Sequence, residues 1–377
     1  FPAPPSGGAI VIYRHLRRLV QEGWRVTVAA PAPAFRPVPE GHGFELRALP
    51  RKKWWPPARP EWPLTQWLRA RMWTNAMRSD PTWVEPTPDV ILTVLWGHTS
   101  LTAAQLARVW RVPLAVIVHD LFRETALPPR LVRDGEKIMR AVLREATRVW
   151  PVSDEMSGQL TPLCPPGTVR TLTPVPEQNV APAGGWPVRF RTAPVIAHAG
   201  AFHAHHVEYL AAVARSVAKF GGSLLVLTPA DNPVLAQLQA TGVAFRHQPS
   251  FVSSAEALSF LAAEASAFTL MYPLNPKFYR HPPTGFPSRL IEFSRLGLPI
   301  LIAAPANNPV NNWARRHTWP LLLDRADWTE LDSLVAQLAD ATKWSALSAR
   351  MRAIATNACD PEKIHRQFLA ELPRAHP

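Results

Sequence analysis

A chain of 377 residues, 47% of them hydrophobic, is long enough for two domains of ordinary size, each with its own core. Its formal charge of +13 directs attention to anionic partners: phosphates, nucleotides, nucleic acid or an acidic membrane surface. Cys164 and Cys359 are the only cysteines and lie far apart, which excludes a disulfide framework or a cysteine zinc site and favours a reducing compartment; no apolar run approaches the ~20 residues of a membrane-spanning helix.

Taken in chain order, helical and strand patterns alternate. "AIVIYRHLRRLVQEG" (9–23) has apolar residues at helical spacing and ends in Gly, and "WRVTVAAP" (24–31) is a strand stopped by Pro. "PDVILTVLW" (88–96) and "VPLAVIVHD" (112–120) are short apolar runs of the kind that form buried parallel strands, with the helix "SLTAAQLARVW" between them. The helix "GEKIMRAVLREA" (135–146) then leads to the strand "TRVWPVS". Around 174–188 a Pro- and Gly-rich stretch breaks all periodicity and reads as a linker. The series restarts with the strand "PVIAHAG" (194–200), the helix "HVEYLAAVARSVAKFG", and further alternation through "AFTLMYP" and "LPILIAAP"; a helical tail closes the chain. Two βα series of similar size predict two parallel-sheet domains, with ligands beyond the carboxyl ends of the strands.

Several residues stand where such sheets do chemistry. Gly7 and Gly8 precede a helix, where bare backbone lets a phosphate approach free N–H groups, although a flexible loop would look the same. In "TGFPSRLIEFSRLGLPILIAA" (284–304), Pro287 suits a first helical turn, Ser288 and Arg289 add a hydroxyl and a cation, and Gly297 with Pro299 stops the helix. Glu292 lies one turn inside; it either complements the helix dipole or accepts two hydroxyls from a bound ligand. His119 ends an apolar strand, with Asp120 beside it, and Ser153 reads as an N-cap. His203, His205 and His206 follow Gly200; neutral imidazoles are weak phosphate clamps, and no carboxylate or Cys completes a metal set there.

The order and spacing of these loops resemble glycosyltransferases of the GT-B fold, most closely the retaining family 4. The resemblance rests on "PPSGGAIVIYRHLRRLVQEGWRVTVAAP", "PDVILTVLWGHTSLTAAQLARVWRVPLAVIVHD", "ATRVWPVSDEM", "APVIAHAGAF" and the stretch at 284–304, which is similar to the family's donor motif in its Phe-Pro-Ser-Lys variant. It implies an α/β fold of two Rossmann-like domains facing across a deep cleft: an acceptor-side domain over 1–180, a nucleotide-sugar domain over 186–345, and a helical tail over 346–377 packing back toward the first. Relatives also carry a strand before the Gly-Gly loop; the sequence starts at Phe1, inside that loop, so this strand is expected to be absent.

The resemblance further implies a donor site of Gly7, Gly8, Gly200, His203, Phe286, Ser288, Arg289, Leu290 and Glu292, with Glu292 on the ribose hydroxyls. His119, Asp120 and Thr284 would lie at the reacting sugar. Two departures stand out. Relatives carry a Glu where this chain has Thr284, and many carry an Arg and a Lys after the glycine that is Gly200 here. The implied reaction retains the anomeric configuration and uses a nucleotide-diphosphate sugar, UDP or GDP, with no cofactor. The chain lacks the Asp-x-Asp metal signature of the other large transferase fold. A degenerate, non-catalytic binder and a sugar-nucleotide epimerase are the alternatives.

"RKKWWPPARPEWPLTQWLRARMW" (51–73) holds Trp54, Trp55, Trp62, Trp67 and Trp73 among Arg and Lys. Such a composition suits the headgroup zone of an anionic bilayer and would place the protein at the inner face of the cell membrane, near a lipid-linked acceptor; a lid packed on the first domain is the other reading. No motif supports nucleic-acid binding.

Overall fold

A computed structural model describes residues 7–31, 43–50, 63–124, 128–177, 188–200, 202–251, 253–278 and 284–374. The chain divides into two compact units. One comprises Phe1–Val175 with Pro283–Ser288 and Glu362–Pro377; the other comprises Pro176–Pro282 with Arg289–Pro361. Residues 1–6, 51–62 and most of the linker lie outside the described residues.

The first unit runs α1 (Gly7–Gln21), β1 (Thr27–Ala30), β2 (Glu45–Ala48), α2 (Pro63–Arg78), α3 (Pro81–Val84), β3 (Ile91–Val94), α4 (Gly97–Trp110), β4 (Leu114–Val118), α5 (Pro129–Glu145), β5 (Arg148–Pro151) and α6 (Asp154–Leu160). All its strand pairs are parallel: β1 with β2, and β3-β4-β5 with β4 central. The central strand, Leu114–Val118, is buried along its whole length, which explains its unbroken apolar sequence. On α5 the buried residues Gly135, Ile138, Met139, Val142 and Leu143 recur at helical spacing and form one face.

The second unit runs β6 (Val195–Ala199), α7 (Val207–Ala218), β7 (Ser223–Leu227), α8 (Val234–Ala240), β8 (Arg246–Gln248), α9 (Ser254–Glu264), β9 (Ala267–Met271), α10 (Ser288–Ser294), β10 (Ile300–Ala303), α11 (Pro309–Arg316), β11 (Leu322–Leu323), α12 (Trp328–Ala339) and α13 (Ala341–Ala358). Its six strands form one parallel sheet in the order β11-β10-β9-β6-β7-β8. The chain winds outward from β6 in one direction, then returns to the other side at β9. The order therefore reverses between β6 and β9, and the carboxyl end of β6 is the switch point at which such sheets hold ligands.

The last helix, α14 (Pro361–Glu371), serves the first unit. Ile364, Phe368 and Leu372 enter a core with Val11, Leu16 and Leu19 of α1, Phe44, Ala115 and Ile117 of β4, and Trp150 of β5. The Trp150 indole nitrogen donates to Glu371 at 2.7 Å, and Arg18 pairs with Glu362 at 2.8 Å. At the centre, His15 and His365 meet through their Nδ1 atoms at 3.0 Å, both stacked on Phe368. One of these nitrogens must donate and the other accept, so the contact requires a neutral ring on at least one side. Burial holds both imidazoles below the usual histidine range, His365 at about 4.

Candidate functional site

In the first unit the candidate residues collect at the carboxyl ends of β3, β4 and β5. His119, half-buried, follows β4. Asp120 comes next; its surface stays open to solvent, while the protein mass around it pushes its carboxyl above the ordinary aspartate value. Ser153, after β5, caps α6 by accepting from the Met156 amide at 3.1 Å. Its hydroxyl then donates to the Thr284 carbonyl at 2.6 Å, which draws the segment 284–288 across these strand ends. Gly285 lies flat there: a Cβ on it would stand 3.3 Å from the His119 carbonyl and 3.4 Å from an Asp120 carboxylate oxygen.

Thr284 is 4% exposed and is not a free hydroxyl. Its Oγ1 donates to one oxygen of Glu124 at 2.6 Å and its amide to the other at 2.9 Å. Glu124 belongs to a short helical turn, 122–124, directly after Leu121. Sequence reasoning passed over Glu124, because nothing in the local pattern of "LFRETALPPR" marks it. The long-range pairing of residues 160 positions apart is a product of the fold.

A second feature not visible in sequence is the aromatic pair at the end of β3. Trp96, just before α4, stacks on Phe122 with ring centroids 5.3 Å apart and planes 12° from parallel. Phe122 is buried against α5, where a Cβ on Gly135 would come within 2.4 Å of its ring. Trp96 itself is 51% exposed.

In the second unit the site gathers at the switch point. Gly200, with φ +104°, turns the chain after β6. The Arg289 side chain crosses this turn: a Cβ on Gly200 would fall 2.8 Å from its Nη1 and 2.9 Å from its Cδ. Nη1 donates to the Ala199 carbonyl. The sequence alone shows no cation after Gly200, and the fold brings one there from α10. Burial lowers the Arg289 pKa from its usual value, yet a guanidinium remains charged at neutral pH.

The histidines beside it are a different matter. His206 is 3% exposed, and its ring makes edge contacts with His205 at 4.3 Å and His198 at 5.3 Å. Burial, then the neighbouring positive groups, hold His203 and His206 below the usual range and His205 at about 4. At neutral pH they offer dipolar N–H groups rather than charge, so Arg289 carries the positive potential of this loop. Among the described residues, no group of three or more His, Cys, Asp or Glu is arranged to hold a metal ion.

Ser288 opens α10, a helix of only seven residues whose dipole contribution is correspondingly small. Leu290 is fully buried and Phe286 is 9% exposed, so both pack the fold and leave only their backbone to a ligand. Glu292 is half-buried one turn into α10. Gly7 and Gly8 are the first residues of α1. Of the basic, Trp-rich stretch, residues 51–62 are outside the described residues. The rest enters α2, where Trp73 packs in a core with Leu49, Met77 and Leu106, while Trp67 and Leu68 are 40% and 47% exposed. No helix of the described residues is long and apolar enough to cross a membrane.

Residues 5–173 match the family model Glycosyltransferase Family 4. The whole chain superposes on HepE of Anabaena, crystallised with UDP and glucose, with a TM-score of 0.71 at 12% identity over 99% of this chain and 97% of that one. The chain has the GT-B fold, and its residues 5–173 are similar to glycosyltransferase family 4. WaaG, a glycosyltransferase involved in lipopolysaccharide biosynthesis, gives 0.65 at 13% identity over 98% and 96% of the two chains. A glycosyltransferase from Rickettsia africae gives 0.66 at 10% identity, over 98% and 95%. No curated protein sequence matches the chain.

Proposed function

We propose that this GT4-like protein transfers a hexose, with retention of configuration, from a nucleotide-diphosphate sugar to a glycan, lipid-linked or small-molecule acceptor. The observation that carries the reading is Arg289 laid across Gly200 at the switch point of the second sheet, with Glu292 one turn further along α10. A fixed guanidinium is matched to a diphosphate, and a carboxylate accepts both hydroxyls of a ribose. HepE has been crystallised with UDP and with UDP-glucose, which favours a uridine donor here, with GDP-sugars next.

In this reading the bond from the sugar's anomeric carbon to the β-phosphate oxygen breaks as the acceptor oxygen bonds to the same carbon. The acceptor's proton passes to the departing diphosphate. Arg289 and the His203 loop stabilise the charge that develops on that leaving group, without a resident metal or cofactor. His119, Asp120 and the Thr284 segment line the acceptor side. The basic, Trp-rich sequence over 51–73 holds the protein peripherally against an anionic inner-membrane surface.

Thr284 gives a second reading its support. Its hydroxyl and amide are both occupied by Glu124, so a nucleotide- or glycan-binding protein without turnover is the competing function. Thermal-shift measurements with UDP, UDP-glucose, GDP-mannose and ADP-glucose, followed by donor consumption, decide between them. Stabilisation by one nucleotide together with release of its diphosphate form supports the transferase. Stabilisation without consumption in the presence of an acceptor panel supports the binder, and no stabilisation by any nucleotide overturns both.

A further inference from the structure

The aromatic pair at the end of β3 has no part in nucleotide binding as described above, and it lies among the residues of the acceptor side. We infer that Trp96 is the platform of an acceptor subsite and that the group it takes is a pyranose ring; this rests on the transferase reading. Phe122 stacks on the indole with ring centroids 5.3 Å apart and planes nearly parallel, while Trp96 keeps 51% of its surface exposed. The platform is fixed from below. Phe122 is seated on the bare backbone of Gly135, and Gly97, with φ +51°, lets α2 approach so that a Cβ there would stand 3.1 Å from Gln66 Oε1.

What borders the platform selects its ligand. Asp120, an exposed residue, follows β4, the strand paired in parallel with the β3 strand that Trp96 follows. A pyranoside has an apolar C–H face and a rim of hydroxyls; the first fits an indole, and the second donates to a carboxylate. A nucleotide would also stack, but its phosphates would add negative charge beside Asp120. An anionic lipid headgroup faces the same repulsion. A neutral sugar is the ligand that satisfies both the face and the rim.

Ligand-observed saturation-transfer NMR on the full chain tests this with methyl β-D-glucopyranoside, methyl β-D-galactopyranoside and methyl α-D-mannopyranoside, against sorbitol as an open-chain polyol. At least one pyranoside is expected to receive saturation at its ring C–H protons, well above sorbitol. Trp96→Ala weakens that binding about tenfold, Trp96→Phe retains most of it, and Val109→Ala, at an exposed position of α4, leaves it unchanged. The UDP thermal shift of each variant serves as the check on folding. Pyranoside binding indifferent to Trp96→Ala, no saturation transfer to any pyranoside, equal transfer to sorbitol, or a Trp96→Ala variant that loses UDP in place of sugar would each overturn the subsite. If wild type binds no nucleotide but its pyranoside binding depends on Trp96, the donor reading fails and the subsite stands.

Discussion

Removing the Glu124 carboxylate should release the segment that begins at Thr284. Two donors of one residue converge on that carboxylate, at 2.6 and 2.9 Å, and Thr284 is 4% exposed. Hydrogen bonds to a charged group contribute roughly 1.5–3 kcal/mol each. Glu124 is only half-buried and part of its charge stays hydrated, so we take about half the sum, roughly 1.5–3 kcal/mol. Ser153 still holds the Thr284 carbonyl, and Phe286 stays packed, which confines the loss to local opening. In Glu124→Ala, hydrogen exchange of peptides covering 284–288 should accelerate about 10- to 150-fold, with α7 unaffected as the internal control. Thr284→Val, which removes one donor and keeps the amide bond, should give about fivefold. The two effects should fall short of additivity by at least ~0.5 kcal/mol, since they share one interaction. Exchange within about twofold of wild type in Glu124→Ala would refute the assignment of Glu124 as the holder of this segment.

Three further outcomes are expected. Glu292→Gln should weaken UDP binding by about tenfold or more in calorimetry; equal affinity would remove Glu292 from the ribose. Gly200→Ala should cost about 1–3 kcal/mol in denaturant unfolding, because φ +104° disfavours a Cβ and the added carbon meets Arg289, and it should also reduce nucleotide affinity. The His15–His365 pair should make the protein acid-labile. Both rings are held neutral by burial, so on acidification the unfolded chain takes up protons first. Stability present above the ordinary histidine value near 6.5 is lost as pH falls toward the folded value of about 4. His365→Gln should flatten that slope by an amount on the order of 2 kcal/mol, read from urea midpoints across this range.

Most of the architecture was legible in sequence because burial imposes a pattern. The unbroken apolar run at 114–118 and the helical spacing of α5 each have one structural solution, and the loops fall at strand ends by necessity. Helix α2 was not legible: its Pro, Trp and Arg content resembles a surface insert, and the helix is held by packing of Trp73 and Met77 in place of a clean apolar stripe. The candidate site was legible wherever a residue acts through its own loop, as with Gly200 or Ser153. It was not legible where two distant segments combine. Arg289 replaces an absent cation beside Gly200, and Glu124 engages Thr284; neither has a local signature. The histidines after Gly200 were legible as imidazoles but not in their charge, which depends on how deeply His206 is enclosed.

The clasp between α1 and α14 bears on how the chain is made. Phe368 and Leu372 sit in the same core as Leu16 and Trp150, and Glu371 receives the Trp150 indole proton. A ribosome releases the α1 segment before α14, yet that segment cannot close its core until α14 has emerged. The intervening unit carries its own complete sheet and has no such dependence. Synthesis therefore delivers the second unit finished while the first still waits, and loss of Phe368 and Leu372 would strike the packing of α1, far away in the sequence.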